Sequence, residues 1–534
     1  MEDELEMQMK PVQIVESEQS RAIPLSHKVI RNAFFSGLRY VLVAPIPFVM
    51  TPLILHKIGV GGYGTWAVFL AINGLTSLAD LGLVGTLSKF VAEYHARRDV
   101  AALNRAVNSG LTLFIALASM VGVGLWTAAP WLAGRLFHGT TATSGEVVVS
   151  LRLFVAVVVA NIVTLMLSSI TTGLQRLDIT NIVSAANLFL SALFSGILLL
   201  HGDGLRGLVF GYIMASILTV GSYLVIVRLL LPEVAMNPLR FNRQEATKMF
   251  GFSFRLYVTQ AAVVVHNQIE KLFLALLVGV AAVGWYEIAS DVALKLRGAI
   301  GFLLTPVLPA ASELSALGDT QRIQELYFRT HKYLALIATP VICYVAAISG
   351  RFVELWIGPD MKVVVVPLCV LLGVSLINLA TGPGFLIYAG AGKLKPGVDA
   401  AILGVVVNLV LSFGLIYRYG FAGAVLGTAV SLIVSAAYFT IVFHRQTGYS
   451  LFRLLGEAYA KPLACSILSL AAVLLAYPNK DLSWLGLVGV GVAFGAMYSA
   501  LILLSRFFDA YDWKKIEGFI PIARHVRRLA RFAW

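Results

Sequence analysis

The sequence predicts an all-α integral membrane protein with about fourteen transmembrane helices. The first observation is composition, because 58% of the 534 residues are hydrophobic, only 13% are charged, and the mean hydropathy is +0.84. Soluble domains carry about 25% charged residues, so a soluble fold of this composition could not cover its surface. The second observation is a series of long apolar segments, and the third is an internal repeat.

The apolar segments are each about 20 to 25 residues long, enough to cross a hydrocarbon core about 30 Å thick. The connections between them are mostly short. The predicted spans cover residues 29–56, 61–87, 107–133, 147–172, 179–201, 205–231, 249–278, 280–309, 331–350, 363–391, 397–417, 421–443, 460–477 and 483–507.

The repeat relates the first six spans to the next six at an offset of about 216 residues. Matching positions include Phe35, Arg39, Tyr40 and Val41 with Phe252, Arg255, Tyr257 and Val258; Gly59, Val60 and Gly64 with Gly279, Val280 and Gly284; Gly173–Leu177 with Gly390–Leu394; and Gly204, Gly207 and Gly211 with Gly420, Gly423 and Gly427. Six spans separate matching elements, so the halves share one orientation, which predicts two six-helix lobes related by a pseudo-twofold axis along the membrane normal. The matched glycines favour close helix packing over direct substrate contact.

The repeat and the charge pattern divide the chain into five parts. We expect a disordered acidic cytosolic tail (1–27), an N-lobe (28–232), a C-lobe (233–446), an extra helix pair (447–507) and a basic amphipathic cytosolic tail (508–534). The last tail places its arginines on one helical face and apolar side chains on the other, which suits the anionic cytosolic leaflet or an assembly partner.

The distribution of the 41 Lys and Arg residues predicts the orientation. Cytosolic loops are enriched in Lys and Arg, and with both termini cytosolic only a few basic residues fall outside: Lys57, Arg135, Arg206, Arg351, Lys362, Arg418 and Lys480. The net charge of +13 therefore reflects membrane topology and not nucleic-acid binding.

Charged side chains inside the spans are the candidate functional residues, because burying a charge in a bilayer is costly unless it faces water or a partner. They concentrate in spans 1, 2, 7 and 8, which predicts a shared central cavity. We assign Arg39, Arg255, Arg297, Lys295, Asn73 and Asp80 to substrate binding, and Glu287, Asp291 and Glu270 to ion or proton coupling.

Two interpretations stay open for these charges. Guanidinium groups pair with phosphate oxygens through two parallel hydrogen bonds, so Arg39 and Arg255 suit an anionic group such as a diphosphate; alternatively, the charges pair with one another and join the halves. Glu287 and Asp291 lie as like charges on one helix face, where acids can carry protons for coupled transport, whereas Asp291 and Lys295 could equally form a static pair.

Motifs for catalysis, cofactors and metals are absent from the sequence. It has no Gly-rich loop followed by Lys-Ser/Thr, and no HExxH, CxxC or GxSxG. Cys343, Cys369 and Cys465 lie inside apolar segments without metal-ligand spacing. We expect a transport protein that is not an enzyme, with no catalytic residue, cofactor or metal site.

The N-terminal stretch, residues 31–94, carries a family resemblance. The run Pro52–Trp66, with PLIL followed by G, YG and W, the ADLGL run Ala79–Leu83 and the residues Phe90–Glu93 resemble Wzx-type polysaccharide flippases of the multidrug/oligosaccharidyl-lipid/polysaccharide superfamily. Such flippases commonly have two six-span lobes, and often two further spans. The similarity therefore extends over most of the chain, outside residues 1–27 and 508–534.

This resemblance implies a function. The substrate would be an undecaprenyl-diphosphate-linked oligosaccharide repeat unit, moved by alternating access from the cytosolic to the periplasmic leaflet of the bacterial inner membrane, for O-antigen or exopolysaccharide synthesis. Of the charged residues, Arg39, Asp80, Arg255 and Arg297 correspond to the family's cavity charges. Membrane lipids and the polysaccharide polymerase or chain-length machinery are the implied partners, and nucleic acid is not one.

Two alternatives remain. A cation-coupled multidrug exporter of the same superfamily would prefer an acidic, aromatic cavity, which the Arg-rich spans oppose. A membrane polymerase or ligase acting on lipid-linked sugars would need a sizeable external loop, and the predicted external loops have only about 5 to 15 residues.

Overall fold

The computed structural model describes residues 45–80, 82–138, 144–476 and 482–519; the side chains of 144, 250–256, 258–260 and 515–519 lie outside this description. Every regular element within these ranges is a helix. Twelve of the helical segments are long and apolar enough to cross a membrane. The predicted all-α, multi-pass fold is confirmed.

The first half of the chain forms the N-lobe. Its helices are α1 (Pro45–Thr76), α2 (Leu83–Ala96), α3 (Val100–Leu136), α4 (Ser144–Gly173), α5 (Leu177–His201) and α6 (Gly204–Leu230). A kink at Gly59, with φ of 69° and ψ of 177°, divides α1 between predicted spans 1 and 2. Glycine reaches positive φ without the steric cost of a Cβ atom, so it permits the chain to reverse here.

The second half forms the C-lobe. Its helices are α7 (Arg243–Leu277), α8 (Val280–Gly301), α9 (Val307–Ala316), α10 (Thr320–Ile357), α11 (Val365–Leu379), α12 (Gly382–Gly390), α13 (Lys395–Tyr419) and α14 (Phe421–Thr447). Helix α7 falls outside the twelve apolar segments because its polar and charged side chains together lower its hydropathy, yet its 35 residues extend about 52 Å at about 1.5 Å per residue. Counting α7, and dividing α1 at its kink, restores the predicted number of about fourteen spans.

The remaining helices form an extension that packs against α10. They are α15 (Leu451–Leu454), a π-helical turn (Leu455–Ala460), α16 (Lys461–Ala476), α17 (Trp484–Leu504) and α18 (Ala510–Phe519). Tyr498 donates a hydrogen bond to the carbonyl of Leu336 in α10 at 2.9 Å. The domain boundaries predicted from the sequence stay predictions, and residues 1–44 and 520–534, with most of both predicted tails, lie outside the described ranges.

Three spans predicted as continuous helices are interrupted. The span predicted at 61–87 breaks after a short 3-10 turn at Ser77–Asp80, where Gly82 has φ of 78°. The span predicted at 280–309 breaks at the equivalent place, around Pro306, and the one predicted at 363–391 breaks between α11 and α12. Left-handed glycine and proline end a helix locally, which a hydropathy window does not register.

The repeat is visible in side-chain detail. Asp99 caps α3 and Asp319 caps α10, each accepting a hydrogen bond from a backbone N–H three residues further on, at 2.8 and 3.0 Å. A Cβ added at Gly211 or at Gly427 would lie 2.3 Å from the hydroxyl of Ser195 or Ser412, respectively. The matched glycines therefore permit the close pairing of α5 with α6 and of α13 with α14.

The bundle has two distinct ends. One end, called here the basic face, carries the connections 97–99, 174–176, 231–242, 317–319, 391–394, 448–450 and 505–509. The other, called the opposite face, carries the kink at Gly59, the connections 202–203, 278–279 and 358–364, the turn at Gly420, and the helix ends at Leu136, Ser144, Ala476 and Trp484. Most of the described Lys and Arg residues outside the spans lie at the basic face.

Candidate functional site

A cavity of about 200 Å³ lies between the two lobes. Helices α1, α5 and α6 of the N-lobe form most of its wall, and α8 of the C-lobe closes it. The lining includes the aromatic side chains Tyr63, Trp66 and Tyr212 and the charged side chains Glu287, Asp291 and Lys295. The structure thus brings three of the predicted site residues into one interlobe cavity.

The charges of this cavity are paired. Asp291 and Lys295, one turn apart on α8, form a salt bridge and are both partly exposed to the cavity. Glu287 pairs with Lys271 of α7 at 2.6 Å, and the two side chains are only 15% and 10% exposed. Pairing offsets part of the cost of removing each charge from water, so the cavity is polar while its described charges are nearly balanced.

A second polar cleft lies inside the C-lobe around Arg297. Its volume is about 190 Å³, and its lining includes His266, Asn267, Arg297, Asn378 and Ser431. The Nη1 group of Arg297 donates a hydrogen bond to the Asn378 side chain at 3.2 Å. A guanidinium group beside amide and hydroxyl donors can bind the oxygen atoms of an anion such as a phosphate.

Glu270 lies in neither cavity but in a fully buried network of hydrogen bonds between α7, α13 and α14. Its Oε1 atom accepts hydrogen bonds from the amide of Asn408 at 2.5 Å and from the hydroxyl of Thr428 at 3.0 Å. The Oε2 atom of Glu270 and the Oδ1 atom of Asn408 have no hydrogen-bond partner in this network. A buried carboxylate whose hydrogen-bond partners are neutral can hold a proton or a small monovalent cation.

The predicted N-lobe residues lie elsewhere. The Oδ1 atom of Asn73 meets the Asn161 amide of α4 at 3.4 Å, and Asp80 accepts a hydrogen bond from the backbone N–H of Gly82 at 2.9 Å. Asp80 therefore stabilises the break between α1 and α2. Arg39 lies outside the described residues, and so does the side chain of Arg255, whose backbone belongs to α7.

Several lining residues were absent from the sequence prediction. Tyr63, Trp66 and Tyr212 are ordinary aromatic residues of apolar spans, and nothing local distinguishes them from core residues. Asn408 and Thr428 carried a usable signal, since each is a hydrogen-bonding side chain within an apolar run. No group of three or more His, Cys, Asp or Glu suited to a metal ion occurs among the residues described.

Two helical lobes with polar cavities between and within them define a polytopic membrane transport protein. The chain belongs to the family described as "Polysaccharide biosynthesis protein", whose model matches residues 29–315, more than half of its length.

Individual relatives agree with this family. The chain is 22% identical to the "Uncharacterized membrane protein EpsK" of Bacillus subtilis, covering 85% of this chain and 91% of that protein. It is 21% identical to a "Putative O-antigen transporter" of Shigella flexneri, covering 78% and 98%. A solved structure of the lipid II flippase MurJ, in an inward closed conformation, matches with a TM-score of 0.69 at 13% identity, covering 90% and 98%.

These findings confirm the predicted family and fold class. At 13% identity, the structural match speaks for the fold alone. The roles assigned to Arg39, Arg255, Arg297, Lys295, Asn73, Asp80, Glu287, Asp291 and Glu270 stay predictions.

Proposed function

We propose that this protein is a flippase that moves polyprenyl-diphosphate-linked oligosaccharide repeat units from the cytosolic to the periplasmic leaflet of a bacterial inner membrane. The proposal includes both termini in the cytosol, so that the basic face is cytosolic, as the enrichment of Lys and Arg there favours. Membership of the polysaccharide biosynthesis family and similarity to a named O-antigen transporter support it.

The observation that carries the proposal is the interlobe cavity with its charged wall on α8. A lipid-linked sugar has a polar head that must cross the hydrocarbon core away from lipid, and carbohydrate hydroxyls need hydrogen-bonding partners once water is removed. Glu287, Asp291 and Lys295 supply acceptors and donors, and aromatic side chains give sugar rings an apolar surface.

The diphosphate is assigned to the arginines. Arg297 supplies the guanidinium group of the C-lobe cleft, and Arg39 and Arg255 are the repeat-related pair predicted from the sequence. The fork of a guanidinium group matches phosphate oxygens better than a lysine does. Asn73 and Asp80 keep the substrate-binding role predicted from the sequence. The nearby carbonyl of Leu78 accepts a hydrogen bond from Tyr257 of α7 at 2.7 Å, so this part of the N-lobe contacts the C-lobe.

Glu270 is our first candidate for ion coupling. Glu287 and Asp291 already have cationic partners, Lys271 and Lys295, whereas the groups hydrogen-bonded to Glu270 are neutral. Binding or release of a proton or monovalent cation at Glu270 would change the packing of α7 against α13 and α14, the mechanical step that alternating access requires.

Transport, and not catalysis, is the proposed activity, with the lipid-linked oligosaccharide as substrate and membrane lipids as surroundings. A polysaccharide polymerase or its chain-length machinery would act on the product. The proposal includes no cofactor.

A deletion strain tests the flippase. Loss of the gene should abolish surface polysaccharide and leave lipid-linked repeat units on the cytosolic side, where an externally added glycosidase or lectin cannot reach them. The gene should restore export when reintroduced. Normal polysaccharide in a strain without a redundant flippase, or restored drug resistance without restored polysaccharide, would contradict the proposal.

Single substitutions test the diphosphate site. Arg39→Ala, Arg255→Ala and Arg297→Ala should each reduce export more than the corresponding change to Lys, since lysine retains the charge but not the fork. The matched control is Arg228→Ala, an exposed arginine near the basic face. Full export by all three alanine variants would remove these arginines from the site.

A further inference from the structure

One contact between the lobes joins a backbone carbonyl to an indole. The Nε1 atom of Trp356, near the end of α10 in the C-lobe, donates a hydrogen bond to the carbonyl of Phe48 in α1 at 2.7 Å. The two residues are 308 positions apart in the chain. An α-helical carbonyl normally accepts a hydrogen bond from the N–H four residues further along its own helix.

Pro52 explains why the Phe48 carbonyl is free. In an α-helix the carbonyl of residue 48 accepts from the N–H of residue 52, and here residue 52 is a proline inside α1, which has no N–H to donate. A carbonyl left without a partner in a membrane protein is costly. The indole of the other lobe supplies the missing donor.

Aromatic contacts surround this hydrogen bond. The ring of Phe48 lies 5.3 Å from that of Trp356 and 6.3 Å from that of Phe352, centroid to centroid. Phe352 and Trp356 stack at 5.4 Å. These rings and the carbonyl form one compact contact between the lobes, called here the aromatic latch.

The extension also reaches the aromatic latch. Trp484, the first residue of α17, lies edge-on to Phe352 at 6.0 Å. Arg351 of α10 donates a hydrogen bond from its Nε atom to the carbonyl of Leu482 at 2.7 Å. The contact thus joins the N-lobe, the C-lobe and the extra helix pair towards the opposite face.

We propose that Trp356 is a positioning residue for transport, because its indole binds the carbonyl that Pro52 leaves free and so holds the lobes together towards the opposite face. Opening that face separates Phe48 from Trp356. The strength of this one hydrogen bond then helps to set the ratio of closed to open molecules. Pro52 makes no contact with the C-lobe through this bond, but it affects the same ratio because it has no N–H to bind the Phe48 carbonyl.

Lobe separation can be measured without substrate by pulsed electron paramagnetic resonance. The full chain, with Cys343, Cys369 and Cys465 replaced by Ala, is spin-labelled at R206C and R418C and reconstituted in lipid nanodiscs. Both positions are exposed near the opposite face, one in each lobe. We expect Trp356→Phe to raise the open-to-closed ratio about 2- to 10-fold, the effect of losing one net hydrogen bond.

Pro52→Ala tests the same hydrogen bond without changing Trp356. The new N–H at residue 52 competes for the Phe48 carbonyl, so the same population should rise although Trp356 is untouched. Because both changes act on one hydrogen bond, the fold-change in the double variant should be smaller than the product of the two single fold-changes. Trp126→Phe and Pro130→Ala, an indole and a helical proline of α3, are the matched controls.

An unchanged distance distribution in Trp356→Phe would overturn the proposal. So would a double variant whose effect equals the product of the singles, since the two residues would then act through separate contacts. The measurement needs no oligosaccharide, so a failure of the flippase proposal would leave its result intact.

Discussion

Gly64 and Gly284 pack against each other's helices across the lobe interface, and the repeat makes them equivalent positions. A Cβ added to Gly64 would lie 1.7 Å from the carbonyl oxygen of Val280, and one added to Gly284 would lie 2.9 Å from that of Val60. Each glycine thus approaches the residue four positions before the other. This reciprocal contact is what an axis of twofold pseudo-symmetry produces, and it locates that axis between α1 and α8.

Gly64→Ala should therefore disrupt the interface more than Gly284→Ala. The added methyl group meets rigid backbone, and overpacking of this kind typically destabilises a protein by about 1–3 kcal/mol. We expect a lower thermal unfolding temperature in detergent and reduced export for Gly64→Ala, and a smaller change for Gly284→Ala.

Gly124→Ala is the control for this pair. A Cβ at Gly124 meets nothing within 4 Å, and replacing a helical glycine by alanine is otherwise favourable by up to about 1 kcal/mol. The control should keep or raise the unfolding temperature. A Gly64→Ala protein as stable as the Gly124→Ala protein would argue against the backbone contact.

Two substitutions of Glu270 distinguish a structural role of this residue from a role in ion coupling. Glu270→Gln keeps an oxygen acceptor for Asn408 and Thr428 but cannot carry negative charge, so we expect near-normal stability and loss of ion-dependent transport. Glu270→Ala removes this acceptor and leaves Asn408 and Thr428 their second bonds, to Ser431 and to the Ala424 carbonyl, so we expect a loss of about 0.5–1.5 kcal/mol for each bond removed. Unfolding temperature and export, measured with and without an ionophore that collapses the ion gradient, distinguish the two.

Full gradient-dependent export by Glu270→Gln would remove Glu270 from coupling. The matched control is Glu93→Gln, which changes a carboxylate whose side chain is 33% exposed on α2, paired with Arg97. It should alter neither stability nor export.

The pair Lys271–Glu287 should behave as a unit. Removing one partner leaves the other charge buried, and such changes typically cost about 3–5 kcal/mol. We expect Lys271→Met and Glu287→Gln each to lower the unfolding temperature and the double variant to recover much of the loss. Additive losses in a double-mutant cycle would show that the two side chains act independently.

Local sequence predicted the number of spans, the repeat and the charged residues, because hydropathy and charge are properties of single segments. Glu270 was found as an ionisable residue inside a span. Its partners Asn408 and Thr428 follow 138 and 158 residues later, and which helix faces meet depends on tertiary packing. The same holds for Trp356, whose acceptor becomes free through Pro52 but is reached only when the two lobes are packed together.

The contact between α18 and α10 offers a test by pH. Asp512, only 2% exposed, accepts hydrogen bonds from Arg329 at 3.2 Å and from Tyr333 at 2.6 Å. Beside it, burial raises the pKa of the Asp509 carboxyl, but the backbone N–H of Asp512 and the cations Lys332 and Arg329 more than offset this, so the pKa lies below its ordinary value.

A depressed carboxyl pKa fixes the sign of the effect. The stabilisation by Asp509 is fully present above the pKa of an unfolded aspartate, about 3.9, and is lost as the pH falls through the lower folded value. We expect docking of residues 505–519 to stay constant from about pH 8 to about pH 5 and to weaken only in stronger acid. Limited proteolysis of the reconstituted protein at each pH measures this docking. Asp509→Asn should weaken docking at neutral pH and reduce the further weakening in strong acid. Release of the segment between pH 7 and pH 5 in the parent protein would contradict this assignment.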